Sequence, residues 1–196
     1  MKVVILDTGC ANLLSLKWAI KRLGYTLEIS NEPSMLMKAD KILLPGVGSA
    51  KAAMNQLKSF NLIDLIKKLH QPILGICLGM QIFGCRSSEN GGINTLGIID
   101  KPVSIINTKG LPLPHIGWNK IIVETKHFLF NNIPNNSYFY FIHSYAMSLN
   151  YHTIAKCNYG FVFTAALQKN NFFGVQFHPE RSGTVGAQLL KNFLEI

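Results

Sequence analysis

Cys77 stands in Pro72-Ile-Leu-Gly-Ile-Cys77-Leu-Gly-Met-Gln81, a short apolar run in which glycines flank one thiol on both sides. A strand, a sharp turn and a helix need this spacing to present a nucleophile at the turn. Gly75 and Gly79 leave room where a strained backbone excludes side chains, and a helix beginning just after the cysteine would aim its positive end at the sulfur. Both effects favour thiolate over thiol, so the pattern points to a nucleophilic cysteine.

A thiol that forms an acyl intermediate needs a base within reach and a third group to orient that base. Gly174-Val-Gln-Phe-His178-Pro179-Glu180 ends a predicted strand, and its His-x-Glu alternation around a rigid proline sets imidazole and carboxylate on one side of the chain. His178 is the expected base and Glu180 its orienter. His70, His115, His127, His143 and His152 have no acidic partner at comparable spacing and are read as structural. Acyl transfer also needs donors for a developing oxyanion. Pro45-Gly46-Val47-Gly48 directly follows a predicted strand, and its backbone amides together with that of Leu78 are the candidates. A phosphate loop competes for the same Gly-x-Gly, but no Lys-Ser or Lys-Thr follows it, and a plain turn is the structural alternative.

Hydrophobic periodicity supplies the elements that must hold these groups. Val3 to Leu6 reads as a buried strand, and Leu13, Leu16, Ile20 and Leu23 recur at helical spacing until Gly24. Lys41 to Pro45 and Ile73 to Ile76 are further apolar runs, separated by one amphipathic stretch from Ala50 to Leu69. This alternation predicts a parallel sheet covered by helices. The second half changes character: Val103–Ile106, Ile121–Val123, Tyr138–Ile142, Phe161–Leu167 and Phe172–Gln176 read as short strands joined by turns, which predicts some antiparallel pairing. A last helix starts near Thr184. No repeat or linker interrupts the chain, so residues 1–196 are expected to form a single domain whose chemistry comes from one sheet and its loops.

Composition narrows the function classes. The chain has 196 residues, 48% hydrophobic and 15% charged, enough for one substantial core. Its four cysteines lack Cys-x-x-Cys pairing, which argues against a zinc site or a disulfide framework. No apolar run reaches the length of an export segment or a membrane span, so a cytoplasmic protein is expected. The net charge of +9 invites a nucleic-acid reading, yet the cations are scattered lysines, Arg22, Arg86 and Arg181 are the only arginines, and no basic patch forms.

Pro45-Gly-Val-Gly48, Gly75-Ile-Cys-Leu-Gly-Met-Gln81 and Val175-Gln-Phe-His-Pro-Glu180, in that order, resemble the class I, triad-type glutamine amidotransferases. Within that family, Pro114-His-Ile-Gly-Trp-Asn119 and Tyr140-Phe-Ile-His-Ser-Tyr145 look like the glutaminase subunits of imidazole glycerol phosphate synthase, with similarity from Val3 to Phe193. The resemblance implies a flavodoxin-like α/β fold and hydrolysis of glutamine to glutamate and ammonia by Cys77, His178 and Glu180, without metal or cofactor. It implies that Gln81, Ser144 and Tyr145 hold the amino-acid end of glutamine, and that Gly46, Val47, Gly48 and Leu78 form the oxyanion site. It further implies a heterodimer with a (β/α)8-barrel cyclase, contacted by Asn12, Trp118, Tyr140 and Arg181, which uses the ammonia to make imidazole glycerol phosphate and an aminoimidazole carboxamide ribotide. Many relatives carry Gly-x-Gly-Asn where this chain has Gly9-Cys10-Ala11-Asn12, and Ile116 replaces a frequent Met; neither touches the triad. The triad motifs alone leave open a glutaminase feeding anthranilate, aminodeoxychorismate, guanylate or pyridoxal phosphate synthesis. A cysteine peptidase and a non-catalytic binding module also remain.

Overall fold

A computed structural model describes residues 1–9 and 12–196; Cys10 and Ala11, where the Gly-x-Gly-Asn departure falls, lie outside the described residues. The elements in chain order are β1 (Val3–Leu6), α1 (Leu13–Arg22), β2 (Leu27–Ser30), α2 (Pro33–Met37), β3 (Lys41–Gly46), α3 (Ala50–Ser59), α4 (Ile63–Lys68), β4 (Ile73–Cys77) and α5 (Leu78–Gln81). There follow β5 (Arg86–Ser87), β6 (Ile93–Asn94), β7 (Pro102–Ile105), β8 (His115–Val123), β9 (Tyr138–His143), β10 (Tyr145–Met147), β11 (Thr153–Tyr159), β12 (Phe161–Lys169), β13 (Phe172–Val175) and α6 (Gly183–Leu194).

The main sheet has nine strands in the order β2-β1-β3-β4-β13-β12-β11-β8-β9. From β2 through β13 the pairing is parallel, and from β13 outward it is antiparallel. Side chains alternate across a strand, so β1 sends Val3 and Ile5 to one face and Val4 and Leu6 to the other. On the first face they meet Leu16 and Ile20 of α1 and Leu189, Leu190 and Phe193 of α6. On the second they meet Leu36 of α2, Met54 and Leu57 of α3 and Ile66 of α4. A sheet buried on both sides requires the continuous apolar runs that marked β1, β3 and β4 in the sequence.

The amphipathic stretch from Ala50 to Leu69 is two helices rather than one. Asn61 adopts a left-handed φ of 56° between α3 and α4, which breaks the helical ladder while the apolar spacing continues. A second correction concerns β7, which leaves the main sheet for a separate four-stranded sheet ordered β10-β7-β5-β6. The site is therefore built from two sheets, because Tyr145 of β10 and Glu89 between β5 and β6 both reach it. No helix among the described residues is long and apolar enough to cross a membrane.

Candidate active site

Strands β3, β4 and β13 run side by side and end together. Gly46 pairs with Cys77, and Val175 with Ile76, so the segments leaving β3 and β13 flank the end of β4. This register brings Cys77 and His178 to one edge although they are far apart in sequence. Ligand sites gather at the carboxyl ends of parallel strands, where the loops are free of the sheet.

Cys77 has φ 54° and ψ −110°, a conformation that costs a non-glycine residue about 1–3 kcal/mol. The turn closes only because its neighbours lack side chains: a Cβ on Gly79 would sit 1.8 Å from the Leu44 carbonyl oxygen, and one on Gly75 would sit 2.7 Å from the Gly79 backbone. The helix after the elbow is a single turn, Leu78–Gln81, shorter than the dipole argument assumed. The thiol lies 3.8 Å from the Ile142 carbonyl oxygen, and Gln176 Nε2 donates to Sγ at 3.6 Å. Cys157 is a different kind of thiol, sealed in the core with its pKa pushed up to about 12 by burial.

His178 Nδ1 is 2.8 Å from Glu180 Oε1, with side chains only 6% and 7% exposed. Burial alone would lower the imidazole pKa, but the Cys77 sulfur and the Glu180 carboxylate outweigh it and push the value up to about 10. The ring is therefore an imidazolium at neutral pH, with Nδ1–H held by the carboxylate. Its Nε2 is buried with no hydrogen-bond partner, an arrangement that costs free energy until a ligand or the sulfur completes it. Ser182 Oγ donates to the His178 carbonyl at 2.6 Å, and His178 N donates to the Tyr140 carbonyl at 2.9 Å, so the backbone carrying the ring is bolted to β9.

Cys77 and His178 line one cavity of about 280 Å³. Of the remaining expected site residues, Val47, Gly48, Leu78, Gln81, Ser144 and Tyr145 line it too. Gly46 does not: it closes β3 and borders a smaller adjoining cavity of about 100 Å³ with Asn12, Glu180 and Arg181. Gln81 Nε2 donates to the Tyr145 carbonyl at 2.8 Å and to Gln176 Oε1 at 3.1 Å, which leaves its Oε1 available. Glu89, which the sequence reading did not single out, and His143, which it read as structural, also stand in the cavity wall. Glu89 Oε2 accepts from Ala50 N at the start of α3 at 2.8 Å, a tie between distant segments that no local pattern announces. His143 was legible only as the inward residue of an alternating strand.

Three of the expected interface residues, Trp118, Tyr140 and Arg181, pack together on one face. Trp118 is 53% exposed, Tyr140 packs edge-on against it at 6.1 Å, and the Arg181 guanidinium lies 4.8 Å over the Tyr140 ring. Ile116, Tyr138 and Ile142 continue the same outer face of β8 and β9. Asn12 caps α1 by accepting from Ser15 N at 3.3 Å. Trp118 is thus no core residue.

The described fold and this site meet a family pattern that covers nearly the whole chain, since residues 4–196 match glutamine amidotransferase class-I. The chain belongs to the class I glutamine amidotransferases. A relative of this amidotransferase in Pectobacterium atrosepticum, named imidazole glycerol phosphate synthase subunit HisH, is 63% identical over all of both chains. Proteins of the same name in Salmonella typhimurium and Escherichia coli are 60% and 59% identical, again over the full length of each. The amidotransferase fold also resembles a solved glutamine amidotransferase from Thermotoga maritima, with a TM-score of 0.67 at 19% identity, covering 100% of this chain and 81% of that one. PurLQS from the same organism gives a TM-score of 0.71 at 18% identity, covering 99% and 97%. These two likenesses concern the fold alone.

Proposed function

We propose that this amidotransferase is the glutaminase subunit of an imidazole glycerol phosphate synthase, with Cys77 as nucleophile, His178 as proton carrier and Glu180 as its orienter. The observation that carries the reading is the charged, buried imidazole of His178, held by Glu180 beside a strained thiol in a cavity with room for a free amino acid. The full-length relatives named as HisH subunits supply the pathway.

In the proposed reaction the Cys77 sulfur attacks the side-chain amide carbon of glutamine. The oxyanion that forms is met by backbone amides from Val47, Gly48 and Leu78. His178 Nε2–H, otherwise unpartnered, gives its proton to the departing nitrogen, and ammonia leaves a glutamyl thioester. The neutral imidazole then takes a proton from water, which attacks the thioester and releases glutamate. Glu180 keeps the ring oriented throughout. Glu89 is the carboxylate of the cavity wall and suits the α-ammonium group of glutamine, beside the Gln81 amide oxygen, while the Ser144–Tyr145 corner borders the amino-acid end.

Ammonia released to water would be protonated and diluted, so productive use requires a partner closed over the site. The apolar band of Ile116, Trp118, Tyr140 and Ile142 beside the small cavity is the surface we assign to a (β/α)8-barrel cyclase, with Asn12 and Arg181 at its border. Gly48, at φ 89°, gives the Gly46–Gly48 segment the freedom to rotate a peptide when that partner seats, so glutamine hydrolysis is expected to be slow without it. Cys77→Ala tests the assignment in a co-expressed complex. Glutamine-dependent synthesis should vanish while synthesis from added ammonium salts persists; retained glutamine turnover would overturn the reading.

A further inference from the structure

A hydrogen-bond chain of fixed polarity leaves the thiol and crosses the interior to β8. Gln176 donates to Cys77, Gln81 donates to Gln176 and to the Tyr145 carbonyl, and that carbonyl also accepts from His143 Nδ1 at 2.9 Å. A carbonyl oxygen donates nothing, so the His143 proton is on Nδ1 and its Nε2 is an acceptor. His143 Nε2 takes the proton of His115 Nδ1 at 3.0 Å. His115 Nε2 in turn accepts from Asn119 Nδ2 at 3.3 Å, and the second hydrogen of that amide goes to the Asn158 carbonyl at 3.0 Å. One assignment of protons satisfies every link.

Both rings are buried, and burial lowers the pKa of His115 to about 4 and of His143 to about 3, so both are neutral. His115 is stacked between Tyr159 at 4.0 Å and Phe141 at 4.9 Å, which holds its plane. Both lone pairs of the Tyr145 oxygen are then occupied, one by His143 and one by Gln81. Both amide hydrogens of Gln81 are likewise spent, so only its Oε1 remains to meet a ligand in the cavity. A flipped Gln81 amide would present hydrogens to an ammonium group and repel it.

We propose that His143, backed by His115, is a positioning residue that sets the Tyr145 carbonyl and through it the orientation of the Gln81 amide, so that the α-ammonium group of glutamine meets an oxygen. This rests on the glutaminase reading, and it adds a role for two histidines that touch neither the thiol nor the scissile amide.

Two substitutions separate the two ends of the His143 ring. An Asn amide nitrogen overlays Nδ1 and retains the bond to Tyr145, whereas a Gln amide reaches toward Nε2 and loses it. In the cyclase complex, His143→Gln should raise the KM for glutamine by about tenfold or more, with kcat at saturation within about twofold, the price of one misplaced polar contact to a charged group. His143→Asn should stay within about threefold of the parent in both constants. An unchanged KM in His143→Gln, or equal impairment of both variants, would overturn the proposal. Independently of activity, long-range nitrogen–proton NMR on the unsubstituted chain at neutral pH should find both rings neutral and protonated at Nδ1; a charged ring, or a proton on His143 Nε2, would also overturn it. An unsubstituted complex that fails to hydrolyse glutamine, with the ring protons as expected, would instead sink the glutaminase assignment.

Discussion

The imidazoles of this protein divide by what burial leaves them. His178 is buried against a sulfur and a carboxylate that hold its proton up to about pH 10, while His115 and His143 are buried among aromatic rings and carbonyls that hold theirs off until about pH 4 and 3. Glu180→Gln would keep the hydrogen bond but remove the charge. The His178 pKa should fall, moving the alkaline limb of the kcat/KM profile to lower pH and lowering turnover on the order of a hundredfold or more. An unmoved alkaline limb would show that Glu180 does not govern the proton. His115 and His143 make a stability prediction of opposite sign. Unfolded imidazoles bind protons near pH 6.5 and these folded ones do so only far below, so stability should fall as pH drops through that window, by about 2 kcal/mol per ring between pH 7 and pH 5. Most of the His178 contribution is already present at pH 7 and is lost as pH climbs toward 10. Denaturant midpoints at pH 7, 6 and 5 check this, and a flat series would contradict it.

Among the elements, the β4–α5 elbow shows how tightly backbone packing can specify a residue. Gly79→Ala places a methyl group against the β3 backbone and should destabilise by about 3 kcal/mol. Gly48→Ala has open space around it and pays only for its positive φ, about 1–2 kcal/mol. Chemical denaturation of the pair should rank them in that order; the reverse would remove the elbow packing argument. The same scale explains what the sequence reading passed over. The first half of β8 alternates in the opposite sense from a core strand, with Ile116 and Trp118 outward and His115 and Asn119 inward. Its outer face is apolar and its inner positions carry the histidine chain, so the stretch lacks the inward hydrophobic pattern by which Ile121–Val123 was found. β11 and β2 lack a clear apolar pattern for different reasons: β11 carries Lys156 and Asn158 on either side of the buried Cys157, and β2 is an edge strand with no buried residue.

At the scale of the whole molecule, the exposed band on β8 and β9 lies beside the cavity that holds Cys77, with His178 N bonded to the Tyr140 carbonyl between them. Trp118→Ala should leave the denaturation midpoint nearly unchanged, since the ring is more than half exposed, while weakening cyclase binding by about 2 kcal/mol. Equal losses in both measurements would return Trp118 to a structural role. By itself the sequence determined the layered α/β architecture and the family, and it singled out Cys77, His178 and Glu180, because glycine spacing, His-x-Glu and apolar periodicity are local consequences of backbone geometry. Only tertiary structure decided that β7 and β10 form a second sheet, that Glu89 and His143 enter the cavity, and that Gln81 is held in one orientation. Those outcomes depend on hydrogen bonds between segments distant in the chain, and such pairings leave no periodic trace in the residues that make them.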